Sequence, residues 1–182
     1  MEVETFSRFF ALLTIAVDLV ALGLIGLMVA ARFNERAATL SVGLKDGYGG
    51  GVLWFAWSIA LTATLGSLYY SEVAGFTPCK LCWYQRIAMY PLVVVLGIAA
   101  VKFDHRIRRY VLPIVSIGAL ISSYHYLLER FPSWESGASC DPVAPCSVTW
   151  VWEFHFISIP FMALSGFAAI GALLLWGTSK EA

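Results

Sequence analysis

The chain has 182 residues, 59% of them hydrophobic and only 13% charged, where a soluble globular domain carries about 25% charged residues. Twelve basic residues balance twelve acidic ones, leaving no cationic surplus to meet a nucleic-acid backbone. An ordinary water-soluble domain and a nucleic-acid binder are both set aside.

A helix needs about 20 mainly apolar residues to cross a hydrocarbon core of about 30 Å. Five runs offer them, at residues 9–31, 52–76, 83–101, 110–128 and 156–176, the first interrupted by Asp18. The connections are short and rich in Gly, Pro and charge, and none can hold a soluble domain. The expected fold is an all-α membrane protein. The first run could also be read as a signal peptide, but its acidic leader MEVETFSRFF and its length argue for a retained span.

Basic loops stay in the cytoplasm. With the N-terminus outside, Arg32, Arg36, Lys45, Lys102, Arg106, Arg108, Arg109 and Lys180 lie inside, against Arg8, Lys80, Arg86 and Arg130 outside. Five spans then leave the C-terminus inside. An ionisable group at membrane depth faces protein or water, so Asp18 is expected to pair within the bundle.

In this orientation all four cysteines fall on the outer side. Cys79 and Cys82 form a C-x-x-C between the second and third spans, and Cys140 and Cys146 lie between the fourth and fifth. Cysteines confined to an oxidising face read as disulfides. Four cysteines allow three pairings, of which the two local ones rearrange the chain least. A C-x-x-C can also be half of a zinc site, but the second pair is C-x5-C with Pro142 and Pro145 between, a poor knuckle. A redox relay fits better, with no metal.

Pro78 precedes Cys79 and the apolar run resumes at Trp83, so Cys82 is expected in the first helical turn. A thiolate there faces the positive end of the helix dipole. Arg86, one turn further on the same face, adds a permanent cation. A pair that oxidises other thiols must itself lose two electrons, and the chain has neither a C-x-x-C-H haem motif nor a Gly-rich dinucleotide fingerprint. A quinone dissolved in the bilayer is the economical acceptor, with Arg86 bonding its carbonyl.

The run PCKLCWYQRIAMYP, then SYHYLLERFP, the Cys140 and Cys146 loop and WEFHFISIP, in this order, resemble the DsbB family of membrane thiol:quinone oxidoreductases, and most of all its BdbC branch. The resemblance covers roughly residues 52–176. It implies a four-helix transmembrane bundle over residues 52–182, with residues 1–51 adding one N-terminal transmembrane helix and a cytoplasmic loop. It also implies a bacterial cytoplasmic-membrane enzyme that reoxidises a thioredoxin-like DsbA/BdbD-type oxidase and passes electrons to the quinone pool, ubiquinone or menaquinone.

By the same resemblance, Cys82 contacts the quinone and Cys79 receives exchange from the other loop. Cys140 and Cys146 are the mobile pair, with Cys140 attacked by the partner. Arg86 and His125 match quinone-site residues. Gln85 stands where some members carry an acid, and the first span has no counterpart in the four-helix pattern. His105 and His155 are expected to be bystanders, and Trp150, Trp152, Phe154 and Phe156 to form an interfacial belt, as a short helix lying on the membrane. Two rival readings remain: a vitamin K epoxide reductase-like quinone enzyme, whose loop pair precedes its C-x-x-C, and a channel or metal-handling protein with disulfide-braced outer loops.

Overall fold

A computed structural model describes residues 2–135 and 144–177. Six helices follow in order: α1 (Glu2–Ala30), α2 (Glu35–Tyr48), α3 (Val52–Leu68), α4 (Lys80–Lys102), α5 (Arg108–Arg130) and α6 (Ile159–Trp176). All but α2 are long and apolar enough to span a membrane, where the backbone must satisfy its own hydrogen bonds. The spans alternate in direction, so the ends of α3 and α5 and the starts of α1, α4 and α6 gather at one end, the cysteine end.

Helix α6 is the hub, packed on α1, α3 and α5, while α4 joins α3 to α5. At its centre Phe167 is 1% exposed and lies over Gly118 of α5, where a Cβ would come within 2.4 Å of the ring. Only a glycine lets the two helices approach this closely, the device that replaces hydrophobic driving force between helices in lipid. Leu53, Leu92, Leu96, Val111 and Ile170 complete the core.

The outlying member is α1, with 11% of its apolar window buried against 56% for α6. What it does bury is a seam of small residues, Ser7, Ala11, Thr14 and Ala21, spaced by four, three and seven so that they share one face. Asp18 falls on this seam and accepts a hydrogen bond from Ser165 Oγ of α6 at 3.0 Å. That serine is the partner the sequence left unnamed. Near its start, α1 is held by Tyr70 OH donating to Ser7 Oγ (3.2 Å) and by Phe10 lying on Gly66 of α3, where a Cβ would meet the ring at 2.8 Å.

Two segments differ from expectation. The loop after the first span holds α2, started by Asn34 Oδ1 accepting from Arg36 N–H and anchored by Leu44 on the core; two glycines and mixed polarity hide its period. The aromatic segment before α6 is a tight reversal instead of a surface helix. Glu153 and Ile157 exchange both backbone hydrogen bonds at 2.9 Å, with Phe154 and His155 left-handed at φ 50° and 67°. Three residues must close that pair, and left-handed backbone is what closes it.

Candidate functional site

Helix α3 runs on into a π-helical turn at Tyr69–Val73, and Gly75, at φ 71°, then turns the chain toward Pro78. Tyr70, Phe76 and Trp150 stack in sequence, at 5.8 and 4.9 Å between centroids, tying this turn to the segment before α6. Cys79 therefore arrives as the N-cap of α4, with extended backbone.

At that position its sulfur does what a capping oxygen does: it accepts the N–H of Cys82 at 3.4 Å. The two sulfurs are 3.3 Å apart and share a hydrogen bond, and His125 Nε2 stands 3.5 Å from Cys79. The hydrogen bond from Cys82 outweighs burial, and with His125 and the cap it lowers the Cys79 pKa from 9.0 to about 4. The cap N–H and the imidazole both act on Cys79, whereas the sequence points to Cys82 for the thiolate. Helix α4 starts at Lys80, three residues earlier than the apolar run, and that offset hands the capping position to the first cysteine. Both cysteines are free thiols, and Cys146 is disulfide-bonded. Cys140 lies outside the described residues.

His125, 2% exposed on α5, joins the two cysteine segments. Gln85 Nε2 lies 3.2 Å from its Nδ1, which assigns the ring hydrogen to Nε2. That hydrogen is shared between Cys79 Sγ and the carbonyl of Cys146, 3.1 Å away. Cys79, Leu128 and Cys146 form one buried cluster. Two acids escaped notice as site residues in the sequence. Glu135 accepts Cys146 N–H at 2.7 Å and the hydroxyl of Ser147, fixing the turn that carries Cys146. Glu129, one helical turn beyond His125, has a buried carboxylate oxygen with no hydrogen-bond partner among the described residues. A periodicity rule, an acid four residues after a buried histidine, could have found Glu129; nothing local marks Glu135.

Two cavities flank this cluster. The smaller, about 20 Å³, is lined by Cys79, Cys82, His125 and Glu129, among others, and has room for one water. The larger, about 700 Å³, is mostly apolar and has Cys82, Gln85, Arg86, Ser67 and Tyr90 at its cysteine end. Cys82 is the sulfur common to both. Arg86 is aimed by Ser67, donating from Nε to the hydroxyl and from an Nη to the carbonyl, each at 3.0 Å, while Tyr90 OH donates to the same hydroxyl. Among the described residues no carboxylate lies within ion-pair distance of Arg86. The structure thus brings Cys79, Cys82, His125 and Cys146 together, with Arg86 on the far side of Cys82.

His125 does not line the larger cavity but the smaller one, with Cys79, Cys82 and Glu129. Gln85 intervenes, because it faces the larger cavity from the same helix as Arg86 while spending its amide on the imidazole. His155 contributes a backbone carbonyl to Arg130 at 3.3 Å, away from the cluster. Cys79, Cys82 and His125 also place three ligand atoms within 4.8 Å of one another, a set that zinc could take.

A profile of the family described as disulfide bond formation protein DsbB matches residues 50–177. The chain is 54% identical over 119 residues to the probable disulfide formation protein C 1 of Bacillus cereus, covering 65% of this chain and 85% of that protein. It is 51% identical over 118 residues to the disulfide bond formation protein C of Bacillus subtilis, covering 65% and 86%. Against the probable disulfide formation protein of Deinococcus radiodurans it is 45% identical over 133 residues, covering 68% and 86%. No solved structure matches the chain. The matched residues include all four cysteines, the buried histidine and the arginine beside the larger cavity, and the chain, a multi-pass membrane protein, belongs to the DsbB family of disulfide bond formation proteins.

Proposed function

We propose that the protein oxidises a thioredoxin-like disulfide donor of the DsbA/BdbD type and delivers the electrons to membrane quinone, with its cysteines on the extracytoplasmic face of a bacterial cytoplasmic membrane. The observation that carries this reading is the position of Cys82, between a tight pocket that it shares with Cys79, His125 and Glu129 and a wide apolar cavity with a guanidinium that no described carboxylate pairs. A quinone bound there would accept two electrons and two protons and leave as quinol.

Residues of the chain perform the rest by thiolate attack on disulfides. A partner thiolate attacks Cys140 of the Cys140–Cys146 disulfide and releases the Cys146 thiolate. With Cys79 and Cys82 joined, Cys146 attacks Cys79 beside it in the buried cluster and frees Cys82 next to the acceptor cavity. The partner's second thiol then closes its own disulfide and frees Cys140, which attacks Cys146 and releases Cys79. Two partner thiols have become one disulfide, and the electrons stand on Cys79 and Cys82. Cys79 is the better leaving group because its thiolate is held by the helix cap and His125, and Arg86 would hold a bound quinone by its carbonyl and steady charge developing there.

Anaerobic quinone reduction by the purified protein, supplied with a reduced thioredoxin-like partner, tests the reading. Turnover in wild type that is lost in both Cys82→Ser and Cys140→Ser is expected. Turnover that survives Cys82→Ser removes the assignment. Inert wild type with stoichiometric bound zinc would favour the metal-handling alternative.

A further inference from the structure

The larger cavity extends well beyond what a quinone head requires. From Cys82 and Arg86 it follows the bundle down to Leu24 and Trp176, near the opposite end. One whole side of it is α1: Phe10, Leu13, Thr14, Val17, Ala21 and Leu24 line it. At 1.5 Å per residue this wall is about 21 Å long. It offers hydrocarbon almost throughout, since the Thr14 hydroxyl is spent on the carbonyl of Phe10 at 2.8 Å. The family match begins at residue 50, so this wall lies outside the matched segment. Yet α1 is seated by specific contacts, Phe10 on Gly66, Ser7 with Tyr70 and Asp18 with Ser165. A slot with Arg86, Gln85 and Ser67 at one end and apolar walls along its length complements a molecule with a polar head and a hydrocarbon tail.

Resting on the quinone reading above, we infer that α1 is a tail-binding wall: it closes the side of the bundle facing α3, α4 and α6 into a chamber that holds the acceptor's isoprenoid tail. The acceptor is thereby selected by its tail as well as by its head. Without α1 the tail would lie in bulk lipid and contribute little specific binding.

The test uses the full chain with Val17→Trp, which fills the chamber, and Leu22→Trp, on an α1 side chain that is 65% exposed and absent from the lining. KM is compared for a decyl-tailed quinone and a tail-free quinone with the same head. Val17→Trp is expected to raise KM for the tailed quinone about tenfold and to leave the tail-free one within about twofold, while Leu22→Trp changes neither. Equal effects of Val17→Trp on both quinones, or none on either, overturn the inference. A second measurement does not need turnover: a quinone carrying a photoactivatable group at its tail end should label α1 at residues 10–24, and labelling confined to α3–α6 overturns the inference. Labelling of α1 that phospholipid abolishes assigns the chamber to an acyl chain and also overturns it. Inert wild type together with tail labelling of α1 would instead count against the quinone reaction and leave the tail site standing.

Discussion

The two cavities that meet at Cys82 differ in almost every physical respect. One holds about a single water, and two thiols, an imidazole and a carboxylate meet on its wall beside apolar residues; the other is some 700 Å³ with mostly apolar walls and a guanidinium at its end. Thiol exchange needs the first kind of place, because attack requires close, aligned sulfurs and a stabilised leaving thiolate. A lipid-soluble acceptor needs the second, where tail burial supplies affinity and one charge supplies orientation. The division of labour is that chemistry is built from few, tightly bonded atoms, and binding from many, loosely specified ones.

The largest expected effect separates the two sides outright. Cys79→Ser should reduce partner-dependent turnover to background, since no disulfide can form to Cys82 or be attacked by Cys146, while equilibrium quinone binding stays within about threefold. Loss of both would merge the two cavities into one functional unit. Arg86→Met should do the reverse. Removing a charged hydrogen-bond donor costs about 1.5–3 kcal/mol, so KM for quinone should rise by roughly one to two orders of magnitude, with Cys79 titrating as before.

Titration of Cys79 sharpens the polar side alone. Its pKa is depressed from 9.0 to about 4, so ionisation stabilises the reduced fold fully above about pH 9 and progressively less as pH falls to about 4. Thiolate absorbance, taken as the difference between wild type and Cys79→Ser, should persist from pH 8 to pH 5 and vanish through about 4. In His125→Leu the midpoint should move upward. A midpoint near the ordinary thiol value in wild type would remove the cap and imidazole from the account. Smaller effects come from the scaffold. Gly118→Ala forces a methyl to within 2.4 Å of the Phe167 ring and should cost about 1–3 kcal/mol of overpacking, read from the midpoint of detergent unfolding. Asp18→Asn keeps an acceptor for Ser165 and should shift that midpoint by under about 1 kcal/mol.

Much of the scaffold was legible because lipid demands long apolar runs, and five such runs stand out whatever the details of packing. The helix α2 was not, since fourteen residues with Gly43 and Gly47 show no clear stripe. The reversal at Phe154 and His155 was hidden for another reason: aromatic residues at a membrane surface satisfy a helix and a turn equally. At the site, residue types and spacing single out Cys79, Cys82 and Arg86. Cys82 lies in the first turn of α4, as the sequence suggests, but which cysteine caps that turn depends on the residue at which the helix begins. Helix boundaries are the part of a fold that local signals specify least. Glu129 and Glu135 act only through segments that folding brings near, so their chemistry is invisible until α5 and the Cys146 turn meet.

The single hydrogen on His125 Nε2 has two claimants, the carbonyl of Cys146 and the sulfur of Cys79. A shared hydrogen is weaker to each than an undivided one. If the Cys146 segment withdrew, its carbonyl would release its share and the sulfur would receive the whole bond. The imidazole would then work as a balance arm, registering the position of a loop as the acidity of a thiol one residue before α4, without any movement of the bundle.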